Sequence, residues 1–455
     1  MAVVNVVKLS ELEGAKRVDP ELYNPEVIAY KKLFRNYPRL KELIERIFHP
    51  KEIKRIYSET GFQFVLAQNV KNVLISLEEK AFISSDRATL IQDNLLENGD
   101  CLVVRSGANY GDAAVYTLLD PKPAYASADV IVIRPKNIPG EYLAIFFNTK
   151  FGSLLLKNLG YGAGQPHIRP QEIKYLHIYK PKPKLIEEIV ENVREAAESN
   201  KEANKYYSQA ENLLLEELGL KDFTPEYELS YTGNLSRAFN VHRIDAEYFQ
   251  PAYDEVAKKI IECPYGYTQL LNCVENVKPD FDPLKYPDKI FSYIELANID
   301  SSIGVINSRT EIKGEEAPSR ARRILRKNEV IVSSVEGSLE KVALVDDEYE
   351  GSLASTGFFQ FRAKNIFPEV LLVLSKSIAI QTQLKRECSG TILTAIPNEA
   401  LKRVIIPLLP IETQQKIASL VQQSHEARKR AKELLDEAKR KVEEAIESEI
   451  KQPSQ

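Results

Sequence analysis

At 455 residues, with 44% apolar residues, 28% charged residues and a formal charge of −4, the chain has room for two to four domains with substantial cores and the composition of a soluble globular protein. It contains no apolar run long enough to span a bilayer and opens on no charged-then-apolar leader. Its four cysteines lie far apart without paired spacing, so the expectation is a cytoplasmic protein with neither a zinc site nor a disulfide framework. The charge balance does not announce nucleic acid, although a local basic face offset by acidic helices remains compatible with it.

In chain order, the first distinctive stretch is RVDPELYNP, from Arg17 to Pro25. Short runs rich in Val and Ala follow at 101–105, 113–116 and 130–134, bounded by Gly, Asn or Asp, and read as strands. A helical pattern covers 141–159, and the glycine-rich stretch GYGAG at 160–164 comes after it. Residues 184–218 carry apolar positions at Ile186, Ile189, Val193, Ala196, Ala203, Tyr207, Ala210, Leu214 and Leu218, with Glu and Lys elsewhere and no Gly or Pro before 218. That alternating three-and-four step predicts a helix about 50 Å long with a narrow, alanine-rich seam, which calls for another helix beside it. Residues 219–239 are polar and aromatic with little periodicity and read as a connection.

The second half repeats the first. RIDAEYFQP, from Arg243 to Pro251, matches the opening motif; 324–345 matches 95–116; 353–366 matches 125–138; and 396–418 matches 168–190. Four matches in one order at a nearly constant offset indicate duplication. Strands are expected at 330–333, 342–345 and 358–362 and a helical pattern at 368–386. The terminal helix has a seam at Ile417, Leu420, Ala427, Ala431, Leu434, Ala438, Val442 and Ile446. The fold class is α+β: two homologous globular domains, 1–183 and 219–410, joined by two long helices, 184–218 and 411–455, that pair as an antiparallel coiled coil. Residues 38–80 have no discernible repeat partner.

The sequence holds no GxxxxGK[ST], HExxH or GxSxG motif, and its five histidines include no pair at metal-ligand spacing. GYGAG follows a helix and precedes an extended stretch, the reverse of a dinucleotide site. No catalytic residue, metal ligand or cofactor site is expected. What remains is suited to recognition. RSGANYG (105–111) sits between two strands, where Arg105, Ser106, Asn109 and Tyr110 offer groups for phosphates and base edges. GAGQPHIR (162–169) presents Gln165, His167 and Arg169. In the second half Arg309, Lys313, Arg320, Arg322 and Arg323 crowd one segment as a candidate phosphate surface. Ser333, Ser334, Thr391 and Thr394 occupy the positions matching the first-half loops. Taken singly, each loop also reads as a solvated turn and the Arg cluster as a solvated face.

The whole pattern, and above all LENGDCLVVRSGANYGDAAVY with YASADVIVIRP and then GYGAGQPHIRPQEI, resembles the specificity (S) subunit of type I restriction-modification systems. The resemblance implies a DNA-reading subunit with two target recognition domains, each reading one half of a split site in double-stranded DNA. It implies helices that set the spacing and dock two methyltransferase (modification) subunits, and it leaves a restriction/translocase subunit open. Such a subunit carries no catalytic residues of its own. One departure stands out: the counterpart of the Arg105 loop, SSVEGSLE at 333–340, contains Glu336 and no Arg. The residues also leave open a coiled-coil adaptor that binds no DNA.

Overall fold

The computed structural model describes residues 6, 8, 23–76, 81–117, 123–162, 166–390 and 394–451. Arg17, Gln165 and Thr391 therefore lie outside the described residues. The chain divides into two compact units: Met1–Lys201 with Arg428–Gln455, and Glu202–Ala427.

In the first unit a six-stranded sheet runs in the order Ile44–Phe48, Val130–Pro135, Cys101–Val104, Ala113–Val115, Val73–Ile75, Val70–Lys71. Cys101–Val104 is buried along its whole length, because both faces are covered. Val103, Ala113 and Ile131 face one side of the sheet and the helices Gly140–Asn148 and Lys150–Lys157. Leu102, Ala114 and Val132 face the other. A smaller sheet pairs Phe62–Val65 in parallel with Ala124–Ala126 and antiparallel with Phe82–Ile83. The second unit has one four-stranded sheet ordered Val274–Asn276, Phe358–Ala363, Glu329–Ser333, Val342–Leu344. A second is ordered Thr310–Lys313, Ile290–Ile294, Leu353–Ser355, Ala321–Ile324.

All six expected strands form within a residue or two of their expected ends. The two helical patterns do not form single helices. Gly140–Asn148 and Lys150–Lys157 are separated by Thr149, and Pro368–Lys376 and Ile378–Glu387 by Ser377, each with extended backbone. The Thr149 hydroxyl donates to the Phe146 carbonyl and accepts from the Gly152 amide, and the Ser377 hydroxyl donates to the Leu374 carbonyl. Such local side-chain bonds compete with continuation of the helix. The apolar period runs through the break because both pieces bury apolar residues in the same core.

The long helices are Pro183–Glu217 and Ile411–Lys451. In the first unit Arg428 donates to Asn200 at 2.8 Å, Arg430 to Glu195 at 2.9 Å, and Lys441 pairs with Glu188 at 3.6 Å. Rising numbers on one segment meet falling numbers on the other, so these segments run antiparallel. Val193, Ala196, Ala431, Leu434, Ala438 and Val442 are buried in the same core as the sheet. In the second unit the Ser424 hydroxyl donates to the Ala203 carbonyl at 2.7 Å, and Tyr207, Ala210, Leu214, Ile417 and Val421 are buried against that unit's own helices and sheet. Alanine on these seams places little side-chain volume between backbones, which is what lets the helical segments approach closely.

The repeat reaches further than the sequence indicates. Phe62–Val65 and Ile290–Ile294 are both followed by a 3-10 turn with the same cap. The Leu66 amide donates to Asn69 Oδ1 at 3.0 Å, and the Glu295 amide to Asn298 Oδ1 at 2.8 Å. Upstream, Leu40 donates to the Leu176 carbonyl and Leu270 to the Val404 carbonyl. Within 38–80, the stretch 40–69 thus does have a second-half counterpart. Its similarity lies in backbone bonds and in a spaced Phe and Asn, which is too sparse to align by residue type.

Candidate nucleic-acid interface

In the first unit, strand Cys101–Val104 delivers Arg105 to the edge of the sheet, where its amide donates to the Asp129 carbonyl at 2.9 Å. The chain then turns through Gly107 (φ 93°) and Gly111 (φ 84°), conformations that residues with a Cβ rarely adopt, and Gly111 donates back to Val104. The second loop meets this one directly. Ile168 donates to the Arg105 carbonyl at 2.9 Å, and Ser106 and His167 form a bridge. Tyr161 and His167 exchange backbone bonds at 3.0 and 2.9 Å and close the glycine-rich loop on itself.

The side chains follow from that frame. Gly160 has no room for a Cβ, which would lie 2.8 Å from Tyr110 Cε2, so the Tyr110 ring seats on the glycine. The Arg169 guanidinium lies 3.8 Å above the Tyr161 ring, a stack that aims a planar fork without burying its charge. Asn109 is exposed, and Arg105, Ser106, Tyr110 and His167 are half-buried. Among the described residues, the buried Nδ1 of His167 has no hydrogen-bond partner. At the loop's inner edge, burial pushes the Asp112 carboxyl above its ordinary range, and Lys157 at 3.7 Å draws it back. Arg105, Ser106, Asn109, Tyr110, His167 and Arg169, expected from two separate stretches, thus share one site. Tyr161 was missed: it stood inside the glycine string, and its signal was the aromatic eight residues before an Arg.

The second unit repeats the frame with other side chains. Ser334 donates to the Gly357 carbonyl at 2.8 Å, Ile396 to the Ser334 carbonyl at 2.8 Å, and Ser389 and Ala395 exchange bonds at 3.0 and 3.1 Å. Glu336 donates its amide to the Thr394 carbonyl, and its carboxylate is exposed. Ala395 stands where the first unit has His167, and Pro397 where it has Arg169. The expected hydroxyls of Ser333 and Ser334 are corrected by their partners. Ser334 Oγ donates to the Gly357 carbonyl and Ser333 Oγ bonds Ser338 Oγ, and both residues are buried. Their hydroxyls build the turn and do not face a ligand. Thr394 is half-buried at the loop.

The basic segment is not one patch. Thr310–Lys313 and Ala321–Ile324 are the two outer strands of one sheet with two strands between them, which separates them by about 14 Å. Arg309 and Lys313 therefore belong to one edge and Arg320, Arg322 and Arg323 to the other. Arg309 donates to the Glu348 carbonyl, Lys313 lies 3.9 Å from Glu315, and Arg322 lies 3.4 Å from Asp282. Arg320 is exposed. Arg323 is a correction: it is 4% exposed and donates inward to the Val277 carbonyl, and burial draws its guanidinium down to about 10. The strand shifts register between Ala321 and Arg323, and across that irregularity Arg322 stays half-buried while Arg323 turns inward.

Both units rest the strand entering this site on an ion pair with a buried carboxylate. Arg134 grips Asp100 through two bonds at 3.0 and 2.9 Å, and Arg362 grips Glu329 at 3.2 and 2.8 Å. Asp100 and Glu329 also cap their own turns, accepting from the Glu97 and Arg326 amides.

Residues 286–439 match the family model described as Type I restriction modification DNA specificity domain. No curated protein matches the chain. Among solved structures, the HsdS subunit from Thermoanaerobacter tengcongensis is 34% identical over 35% of this chain and 43% of its own, with a TM-score of 0.32. A structure titled for complex assembly and conformational transition of the type I R-M system is 33% identical over 39% and 46%, with a TM-score of 0.32. The type I restriction-modification system S subunit from M. genitalium is 10% identical over 90% and 94%, with a TM-score of 0.40. The chain thus spans less than half the length of the first two at the identities stated. No described helix is long and apolar enough to cross a membrane.

Proposed function

We propose that this chain is the DNA sequence-recognition subunit of a type I restriction-modification complex. One observation carries the reading. The loop pair joined by Ser334 and Ile396 lies inside the residues matched to the DNA specificity domain, and the first unit repeats its backbone bonds at Arg105 and Ile168 with different side chains. A constant frame bearing variable polar groups is what two readers of two different half-sites require.

On this reading, 1–183 and 219–410 are target recognition domains, and the helices 184–218 and 411–455 pair as an antiparallel coiled coil. Arg105, Ser106, Asn109, Tyr110, His167 and Arg169, with Gln165, meet one half-site. Glu336, Thr391 and Thr394 meet the other, and Glu336 accepts from a cytosine amino group. Arg309, Lys313, Arg320 and Arg322 touch phosphates. The helices set the spacing and dock two methyltransferase subunits, a restriction/translocase subunit joins where the system cleaves, and the chemistry belongs to those partners.

The test is selection from random duplex DNA with the full chain co-expressed beside its methyltransferase subunit. The expected product is two short conserved blocks separated by a fixed, unconserved gap. Lengthening both long helices by matched turns widens the gap and leaves the blocks unchanged. A complex that forms but enriches no sequence sinks the reading and favours an assembly adaptor.

A further inference from the structure

The motif RIDAEYF from Arg243 to Phe249 is one of the clearest matches between the two halves, and nothing in the proposed DNA contacts uses it. Its place in the second unit suggests a reason. Helix Ile378–Glu387 ends just before the loop that pairs with Ser334, and the last carbonyls of a helix have no partner within it. Arg243 supplies one. Its Nη1 donates to the Arg386 carbonyl at 3.2 Å and its Nη2 to the Cys388 carbonyl at 2.9 Å. Cys388 is the cap of that helix, and Ser389, the next residue, is already paired with Ala395.

The guanidinium is itself held on its other edge and its face. Nε and Nη2 donate to the two Asp245 oxygens at 2.8 and 2.9 Å, and Asp245 also accepts from the Tyr248 amide at 3.1 Å. Tyr248, 3% exposed, lies 4.4 Å beneath Arg243 and 4.7 Å from the Arg386 guanidinium. A fork gripped in this way cannot rotate without losing four bonds, so it sets the exit direction of the helix. The same residues border an open cleft of about 640 Å³ whose walls include Arg243, Asp245, Glu336, Ser389 and Thr394. The clamp and the candidate reading groups therefore share one cavity.

We infer that Arg243 is a positioning residue for base recognition by the second unit. It fixes Ser389, which pairs with Ala395, while Ser334 holds the following Ile396. The inference rests on the reading of that loop as a DNA reader. Base contacts need donors and acceptors placed within a fraction of an ångström, whereas phosphate contacts tolerate a looser loop. Loss of the clamp should lower discrimination and leave sequence-independent binding intact.

The experiment uses the full chain with its methyltransferase subunit, the random-duplex selection, and an unrelated duplex to measure non-specific affinity against salt. Arg243→Ala should reduce enrichment of one block about tenfold, within the range of a lost base contact. The other block, the non-specific affinity and its salt slope should not change. Arg243→Lys keeps the charge but cannot fork, so it should weaken the same block to a lesser degree. Arg237→Ala is the control: it removes a two-bond fork from helix Leu235–Val241 to Asp254, which keeps its bond from Arg386 at 3.1 Å, and it touches no atom of the loop, so both blocks should survive. Wild type that enriches nothing refutes the reading of the loop, a result separate from the clamp. Both blocks intact in a folded Arg243→Lys, equal loss of both blocks, or the same loss in Arg237→Ala overturns the inference. So does unfolding of both Arg243 variants, which would make the residue a folding determinant.

Discussion

The Ile168 amide donates to the Arg105 carbonyl at 2.9 Å, and this bond, beside the Ser106–His167 bridge, joins two loops that are more than fifty residues apart in the chain. Each loop alone is a polar turn. Joined, they place the Arg105 and Arg169 side chains on one rim, with Tyr161 beneath Arg169.

Replacing either arginine tests that rim. Arg105→Ala or Arg169→Ala should cut discrimination at one half-site by about tenfold and leave the other unchanged. Competition binding with duplexes mutated in one block at a time measures this. Equal loss at both blocks would contradict two independent readers.

The Asp100–Arg134 pair is buried, with the carboxylate 1% and the guanidinium 9% exposed. Asp100→Ala strips two bonds from Arg134, which keeps its Glu97 ion pair at 2.5 Å, and uncaps a turn, so the first unit should lose up to about 3–5 kcal/mol. Urea unfolding followed by a probe in that unit reads the change. Asp100→Glu, which mirrors Glu329 of the second unit, should recover part of it.

Gly152 opens helix Lys150–Lys157 against the end of the preceding helix. A Cβ there would stand 2.0 Å from the Phe146 carbonyl oxygen, a backbone atom that cannot step aside. Gly152→Ala should therefore destabilise by at least about 1–3 kcal/mol through overpacking, despite the better helix propensity of alanine. A thermal midpoint equal to wild type would disprove the close approach.

His425, on the terminal helix, bonds the Ile303 carbonyl at 2.9 Å. Burial holds its imidazole below the ordinary range, against the opposing pull of that bond and of the Asp346, Glu369 and Asp300 carboxylates. A base whose pKa is lowered in the folded state takes up its proton more readily when unfolded. Its stabilising contribution is full above about pH 6.5 and is lost as pH falls from there through the folded value. His425→Gln should flatten this acid-side loss below about pH 6.5. An unchanged pH profile would show that the imidazole is not sequestered.

The readable parts of the sequence were those governed by local rules. Apolar seams on 184–218 and 411–455 reported long helices, because a period repeated over many turns has no other explanation. Val-rich runs bounded by turn residues reported the strands. The candidate loops were visible as Gly-bounded polar stretches. The break at Thr149 was not visible, because a hydroxyl bond to Phe146 leaves no mark on periodicity. The second copy of 62–70 was hidden as well, since its likeness resides in a cap made by Asn69 and Asn298.

By itself, the sequence determined the two copies, their elements and which stretches carry recognition-type side chains, since each of these depends on neighbours a few positions away. The tertiary structure decided which of those side chains face outward. An irregular stretch of strand turned Arg323 to the Val277 carbonyl while Arg322 stayed half-buried, and sheet order sent Arg309 and Arg320 to opposite edges of one sheet. It also joined Arg105 to Ile168 and Arg243 to Cys388. Those bonds depend on where the chain returns in space, and no local pattern of residues encodes that.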